Sequence, residues 1–179
     1  MIGLTPERIA EELRGYSARL SEGVQTLGRI GEIEAGVSAR DAVYREDKLT
    51  LYRYRPCAET LHPVPLLIVY ALVNRPYMMD LQEDRSMIRG LLEAGVDVYL
   101  IDWGYPDAED RRLTLGDYVH RYIGHCVDHL RERLGQGSIN LLGVCQGGAL
   151  SLCFSSLYPE KVRNLVTMVT PVDFHTPDN

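Results

Sequence analysis

From Pro65 onward the chain alternates continuous apolar runs with amphipathic stretches. Short apolar runs bounded by turn residues suit strands buried on both faces, and they predict strands at 66–71, 96–102, 138–144 and 163–169. The stretches between them predict helices near 82–94, 115–134 and 147–158. That rhythm implies crossover connections and a mostly parallel sheet with flanking helices, an α/β class of fold. Ligands of such sheets bind outside the carboxyl ends of the strands, where the loops after Tyr70 and Trp103 and the residue Cys145 converge.

Upstream the pattern differs. Lys48 to Arg55 sets Leu49 and Leu51 against Tyr52 and Tyr54, which suits an edge strand or hairpin arm. Thr5-Pro6 reads as an N-cap followed by proline in the first helical position, with Ile9, Leu13, Tyr16 and Leu20 recurring at helical spacing. That amphipathic helix either packs against the body or docks a partner helix. The resulting division is an N-terminal helical segment, residues 1–47, and a core from 48 to 179.

Composition narrows the setting. The net charge of -6, without any Lys/Arg cluster, argues against a nucleic-acid partner. The apolar runs are of strand length and too short for a transmembrane segment. Cys57, Cys126, Cys145 and Cys153 show no paired spacing, and nothing at the N-terminus resembles a secretory signal, which favours a reducing cytoplasm and free thiols. Cys126 and Cys153, at helical positions, are expected to be small buried hydrophobes, whereas Cys57 lies in a loop. His125 and His129 stand one turn apart on a predicted helix, but two imidazoles without a third ligand do not make a closed metal site, so no metal is expected there.

The chemistry concentrates at Ile139 to Gly148, an apolar strand running into Gly143-Val144-Cys145-Gln146-Gly147-Gly148 and then a helix. Gly-x-Cys-x-Gly between strand and helix is a nucleophile elbow, whose sharp turn lifts one side chain above the sheet while the glycines avoid collisions with neighbouring backbone. A thiol at that position suits a thioester substrate, because thiol and thioester are close in energy.

Four blocks in order resemble one family: Val69 to Tyr77, Asp80-Leu81-Gln82, Tyr99 to Pro106, and Val169 to Phe174, together with the elbow. Over nearly its whole length the chain looks like the catalytic subunit of a class III polyhydroxyalkanoate synthase. The resemblance implies an α/β-hydrolase core and an acyltransferase that polymerises 3-hydroxyacyl-CoA, mainly 3-hydroxybutyryl-CoA, through an acyl-enzyme on Cys145. It further implies a second, non-catalytic synthase subunit, self-association, and a place at the surface of polyester storage granules. No cofactor is called for beyond the coenzyme A thioester substrate. An α/β-hydrolase thioesterase is the competing reading.

In that family's pattern the triad acid and histidine follow on later strands. This chain reaches Asn179 shortly after the strand that follows the elbow, so the expectation is a fragment lacking both and inert by itself. His175 and Asp173 are more simply a solvated tail histidine and a turn residue than substitutes for them. The oxyanion is expected to be held by backbone N–H groups of Gln146 and of Val73, with Leu72 as the neighbouring alternative.

Overall fold

In the computed structural model, which describes residues 12, 15, 16, 19–25, 36–173 and 175, contacts divide the chain into Met1–Glu34 and Ala35–Asn179. In the first unit residues 19–25 are helical, and Tyr16, Leu20 and Val24 are exposed. Thr5, Pro6, Ile9 and Leu13, on which the expected cap and apolar stripe also rest, lie outside the described residues.

The second unit begins with a hairpin, β1 (Arg40–Glu46) and β2 (Leu49–Tyr54). Arg40–Glu46 thus forms a strand where the sequence placed the end of a helical segment, and the boundary after residue 47 falls inside the hairpin turn. Its pairing explains the difference. Tyr44 and Glu46 gain partners from β2 and from the helix at 124–134 that no local propensity reveals.

The remaining strands are β3 (Leu66–Val69), β4 (Asp80–Gln82), β5 (Arg85–Ser86), β6 (Val98–Asp102), β7 (Ile139–Val144) and β8 (Val162–Met168). Helices are α1 (Met87–Glu93), α2 (Gly124–Leu134), led in by a wide-wound π turn at Asp117–Ile123, and α3 (Gln146–Leu157). Six strands form one sheet in the order β1-β2-β6-β3-β7-β8, parallel from β6 to β8 and antiparallel at β1, β2 and β6.

Alternation along the central strands builds two apolar layers. Leu67, Val69, Tyr99, Ile101 and Leu141 pack with Val119, Ile123, Val127, Leu150 and Phe154 on one face. Ile68, Leu100, Leu142 and Val144 pack with Met79, Ile88 and Leu92 on the other. Successive side chains of a strand point to opposite faces, so a strand covered on both is apolar along its buried length, as β3, β6 and β7 are apart from Asp102 and Asn140. Strand β8 departs from that expectation. It is an edge strand whose residues are exposed or half-buried, with Val166 55% exposed.

Helix α1 starts later than position 82, because residues 80–86 fold into the β4–β5 hairpin around Asp80. Asp80 is fully buried and its carboxylate accepts from Ser38 N–H (2.8 Å), Ser38 Oγ (2.8 Å) and Ser86 Oγ (2.6 Å). Ser86 in turn caps α1 by accepting from Arg89 N–H. Among the described residues no helix is long and apolar enough to cross a membrane.

The strand order reverses at β3. The chain steps from β3 to β6 on one side and later returns to β7 on the other. That reversal marks the switch point outside the carboxyl ends of β3 and β7, where ligands of doubly wound sheets bind.

Candidate active site

Cys145 follows β7 and forms the N-cap of α3 with φ 56° and ψ -127°. A residue with a Cβ takes that conformation only when its surroundings impose it, at a cost of about 1–3 kcal/mol. Three constraints impose it here. Cys145 N–H donates to the Met168 carbonyl at 2.9 Å, holding the strand's last peptide against β8. Gly148 N–H donates to the Cys145 carbonyl at 2.9 Å, starting the helix at once. The first helical turn then lies so close to the sheet that a Cβ on Gly143 would meet Gly148 Cα at 2.5 Å, and one on Gly147 would meet the Tyr70 carbonyl oxygen at 2.7 Å. The thiol that results is half-buried and unpaired by a disulfide.

Around it stand the loops after β3 and β6. The Trp103 indole N–H donates to the Tyr70 carbonyl at 3.0 Å, and its ring stands edge-on to Tyr118 (5.5 Å between centroids) and Tyr122 (6.5 Å). Arg75 donates to the Gly104 carbonyl at 3.0 Å while its guanidinium lies over the Tyr105 ring. Burial, and secondarily the nearby Cys145, hold the Tyr70 phenol above its ordinary value of 10.0. Leu72, Trp103, Leu113, Tyr118 and Tyr122 line a small cavity of about 40 Å³, with Lys48 and Asp110 supplying an ion pair.

Of the two expected oxyanion donors, Gln146 N–H sits at the first position of α3, where a helix leaves its amides without internal acceptors. In the β3 loop, Leu72 N–H is engaged, donating to Gln146 Oε1 at 3.2 Å. Among the described residues, the Val73 and Gln146 backbone N–H groups have no protein acceptor.

His175 and Asp173 do not join the site. Their side chains are 98% and 70% exposed, and their closest mutual contacts are Nδ1 to Oδ1 at 3.7 Å and His175 N–H donating to Asp173 Oδ1 at 2.9 Å. No histidine among the described residues hydrogen-bonds to Cys145 Sγ. On α2, His125 Nδ1 bonds Glu46 at 2.8 Å and His129 stacks on Tyr44, so both face β1. Among the described residues no three His, Cys, Asp or Glu side chains gather as a metal site.

The other thiols divide. Cys126 is fully buried, and burial first, then the Glu46 charge, push its pKa up. Cys153, expected to be buried, is exposed, because α3 meets the sheet through Leu150, Ser151 and Phe154 and turns Cys153 away from it. Two contributors escaped sequence reasoning, the Gln146 carboxamide and the Trp103 indole. Only Trp103's place just past an apolar strand hinted at either.

A family profile described as "alpha/beta hydrolase fold" matches residues 64–179, and one described as "Poly-beta-hydroxybutyrate polymerase (PhaC) N-terminus" matches residues 19–91. The chain is 62% identical, over 99% of its length and 51% of the relative's, to the Poly(3-hydroxyalkanoate) polymerase subunit PhaC of Allochromatium vinosum. It is 53% identical to the protein of that name in Synechocystis, over 96% of this chain and 46% of the relative. It is 31% identical to that of Cupriavidus necator, over 76% and 23%. The chain thus spans about half the length of the Allochromatium and Synechocystis relatives. Among solved structures, the Francisella virulence factor BioJ superposes with a TM-score of 0.59 at 13% identity, covering 97% of this chain and 57% of that one. An alpha/beta hydrolase from lagoon sediments of Mar Chica gives 0.54 at 22%, covering 73% and 52%. At those identities the likeness speaks for the fold alone.

Proposed function

Because the chain belongs to the alpha/beta hydrolase fold family and, within it, to the poly(3-hydroxyalkanoate) polymerases, we propose that it supplies the nucleophile and oxyanion side of a 3-hydroxyacyl-CoA polymerase. The observation that carries this reading is Cys145 in a strained elbow, together with the Gln146 and Val73 backbone N–H groups that have no acceptor among the described residues.

The Cys145 thiolate attacks the acyl carbonyl carbon, forming a C–S bond while the carbonyl π pair moves onto oxygen. Gln146 N–H and Val73 N–H donate to that oxyanion. The pair then returns, the bond to the coenzyme A sulfur breaks, and the leaving thiolate takes up a proton. The hydroxyl of a further 3-hydroxyacyl unit gives up its proton and attacks the acyl-enzyme, lengthening the ester and regenerating Cys145. These transfers call for a general base, which none of the described histidines supplies by a hydrogen bond to Cys145 Sγ, and 3-hydroxybutyryl is the proposed main acyl unit. A second synthase subunit, self-association and attachment to polyester granules in the cytoplasm belong to the same reading.

The test is incubation with 3-hydroxybutyryl-CoA of a protein of the relatives' full length that carries these residues. Coenzyme A release with insoluble polyester is expected, and Cys145→Ala abolishes both. Release of free 3-hydroxybutyrate instead would make the protein a thioesterase, and turnover surviving in Cys145→Ala would remove the nucleophile from the scheme.

A further inference from the structure

Gln146 is adjacent to the nucleophile, yet its side chain acts 74 residues away, where Oε1 accepts from Leu72 N–H at 3.2 Å. The close approach of Gly147 to the end of β3 makes that reach short, since the first turn of α3 rests against Val69 and Tyr70. Leu72 belongs to an irregular loop between β3 and the short helical turn at Pro76–Met79, where no ladder fixes the peptide planes. A single side-chain acceptor held by a rigid helix removes that freedom, because it fixes the plane of one peptide and restricts the next.

We infer that Gln146 is a positioning residue: its carboxamide engages Leu72 N–H and thereby sets the loop so that the following N–H, that of Val73, is the one presented to the acyl oxygen. The inference rests on the acyl-transfer reading above and deepens it. Gln146 then serves twice, its backbone N–H as a direct oxyanion donor and its side chain as the clamp that aims the second. The Trp103 indole, which holds the Tyr70 carbonyl, anchors the other end of the same loop. An oxyanion hole works through donors already aimed before charge develops, so a loosened clamp costs rate without changing the reactivity of the thiol.

That separation defines the experiment. In alkaline buffer, where the thiol ionises without a base, the full chain is treated either with the 3-hydroxybutyryl thioester of N-acetylcysteamine or with iodoacetamide. Modification of Cys145 is followed by peptide-resolved mass spectrometry. Acylation passes through an oxyanion and alkylation does not. Gln146→Met, which keeps the length and removes the acceptor, is expected to slow acylation at least tenfold and to leave alkylation within twofold. Hydrogen exchange on the unsubstituted chain gives a second reading that does not depend on the variant folding, with the Leu72 amide protected at least tenfold more than that of Val73.

Equal acylation by wild type and variant, a parallel fall in both reactions, or Leu72 exchange as fast as that of Val73 would each overturn the inference. If Cys145 of the unsubstituted chain acylates no faster, relative to its alkylation, than free cysteine does, the acyl-transfer reading itself fails and this inference goes with it.

Discussion

Gly147→Ala tests whether the elbow depends on contact between α3 and the end of β3. The added methyl carbon would press into the Val69 carbonyl oxygen, its nearest neighbour, and stand 2.6 Å from the Val69 carbonyl carbon and 2.7 Å from the Tyr70 carbonyl oxygen, well inside ordinary van der Waals contact. Neither obstacle is a flexible side chain. Both are backbone at the end of β3, a strand paired on both sides with β6 and β7, and the Tyr70 carbonyl also accepts from Trp103. Overpacking a well-filled interior costs about 1–3 kcal/mol, and an obstacle that cannot rotate away places this substitution in the upper half of that range. Urea unfolding reads the effect, and with a slope of about 2 kcal/mol per molar the midpoint should fall by roughly 1 M. Gly90→Ala is the control. Gly90 lies exposed on α1, where an added Cβ meets nothing within 4 Å, so alanine should stabilise by about 0.5–1 kcal/mol through helix propensity alone. Should Gly147→Ala unfold within 0.5 kcal/mol of wild type by these figures, close packing at the elbow is not what holds Cys145 in place.

Asp80→Ala strands three donors from Ser38 and Ser86 in a fully buried place, and urea unfolding should show a loss of at least about 3 kcal/mol, with Asp80→Asn losing less. Trp103→Phe leaves the Tyr70 carbonyl without its donor, which should cost about 1 kcal/mol in stability and speed hydrogen exchange in the loop after β3. Iodoacetamide on the folded chain should reach Cys57 and Cys153 first and Cys145 more slowly, with Cys126 reacting only on unfolding; early labelling of Cys126 would contradict the packing of α2. His129 should make stability fall with acid. Its Nε2 is buried and has no partner among the described residues, and burial, then Arg133, hold its pKa below the ordinary 6.5. As pH drops below 6.5 the unfolded chain takes up the proton first, so this contribution is whole above that value and is lost as pH falls toward the folded-state pKa. Unfolding midpoints between pH 7 and pH 5, compared with those of His129→Phe, should show the acid dependence reduced in the variant.

The apolar runs determined β3, β6 and β7 to within a few residues, because strands covered on both faces keep nearly every position apolar, Asp102 and Asn140 being the exceptions. The elbow was equally legible as a Gly-x-Cys-x-Gly pattern: at Gly143 the crowding comes from Gly147, Gly148 and Ser151, within a few residues of Cys145, whereas at Gly147 it comes from Val69 and Tyr70 at the end of β3. What the tertiary structure decided lies in partners distant along the chain. Arg40–Glu46 became a strand through β2 and α2, and α1 began late because Asp80 gathers hydroxyls from Ser38 and Ser86 into a hairpin. Cys153 turned outward and β8 stayed half-covered, since exposure depends on which faces the sheet and its helices present to one another. The Gln146 clamp on Leu72 has no sequence signature at all. Periodicity and turn chemistry act over a few residues, whereas a side chain's partner is set by strand order, and only the reversal at β3 brings positions 72 and 146 within hydrogen-bond reach.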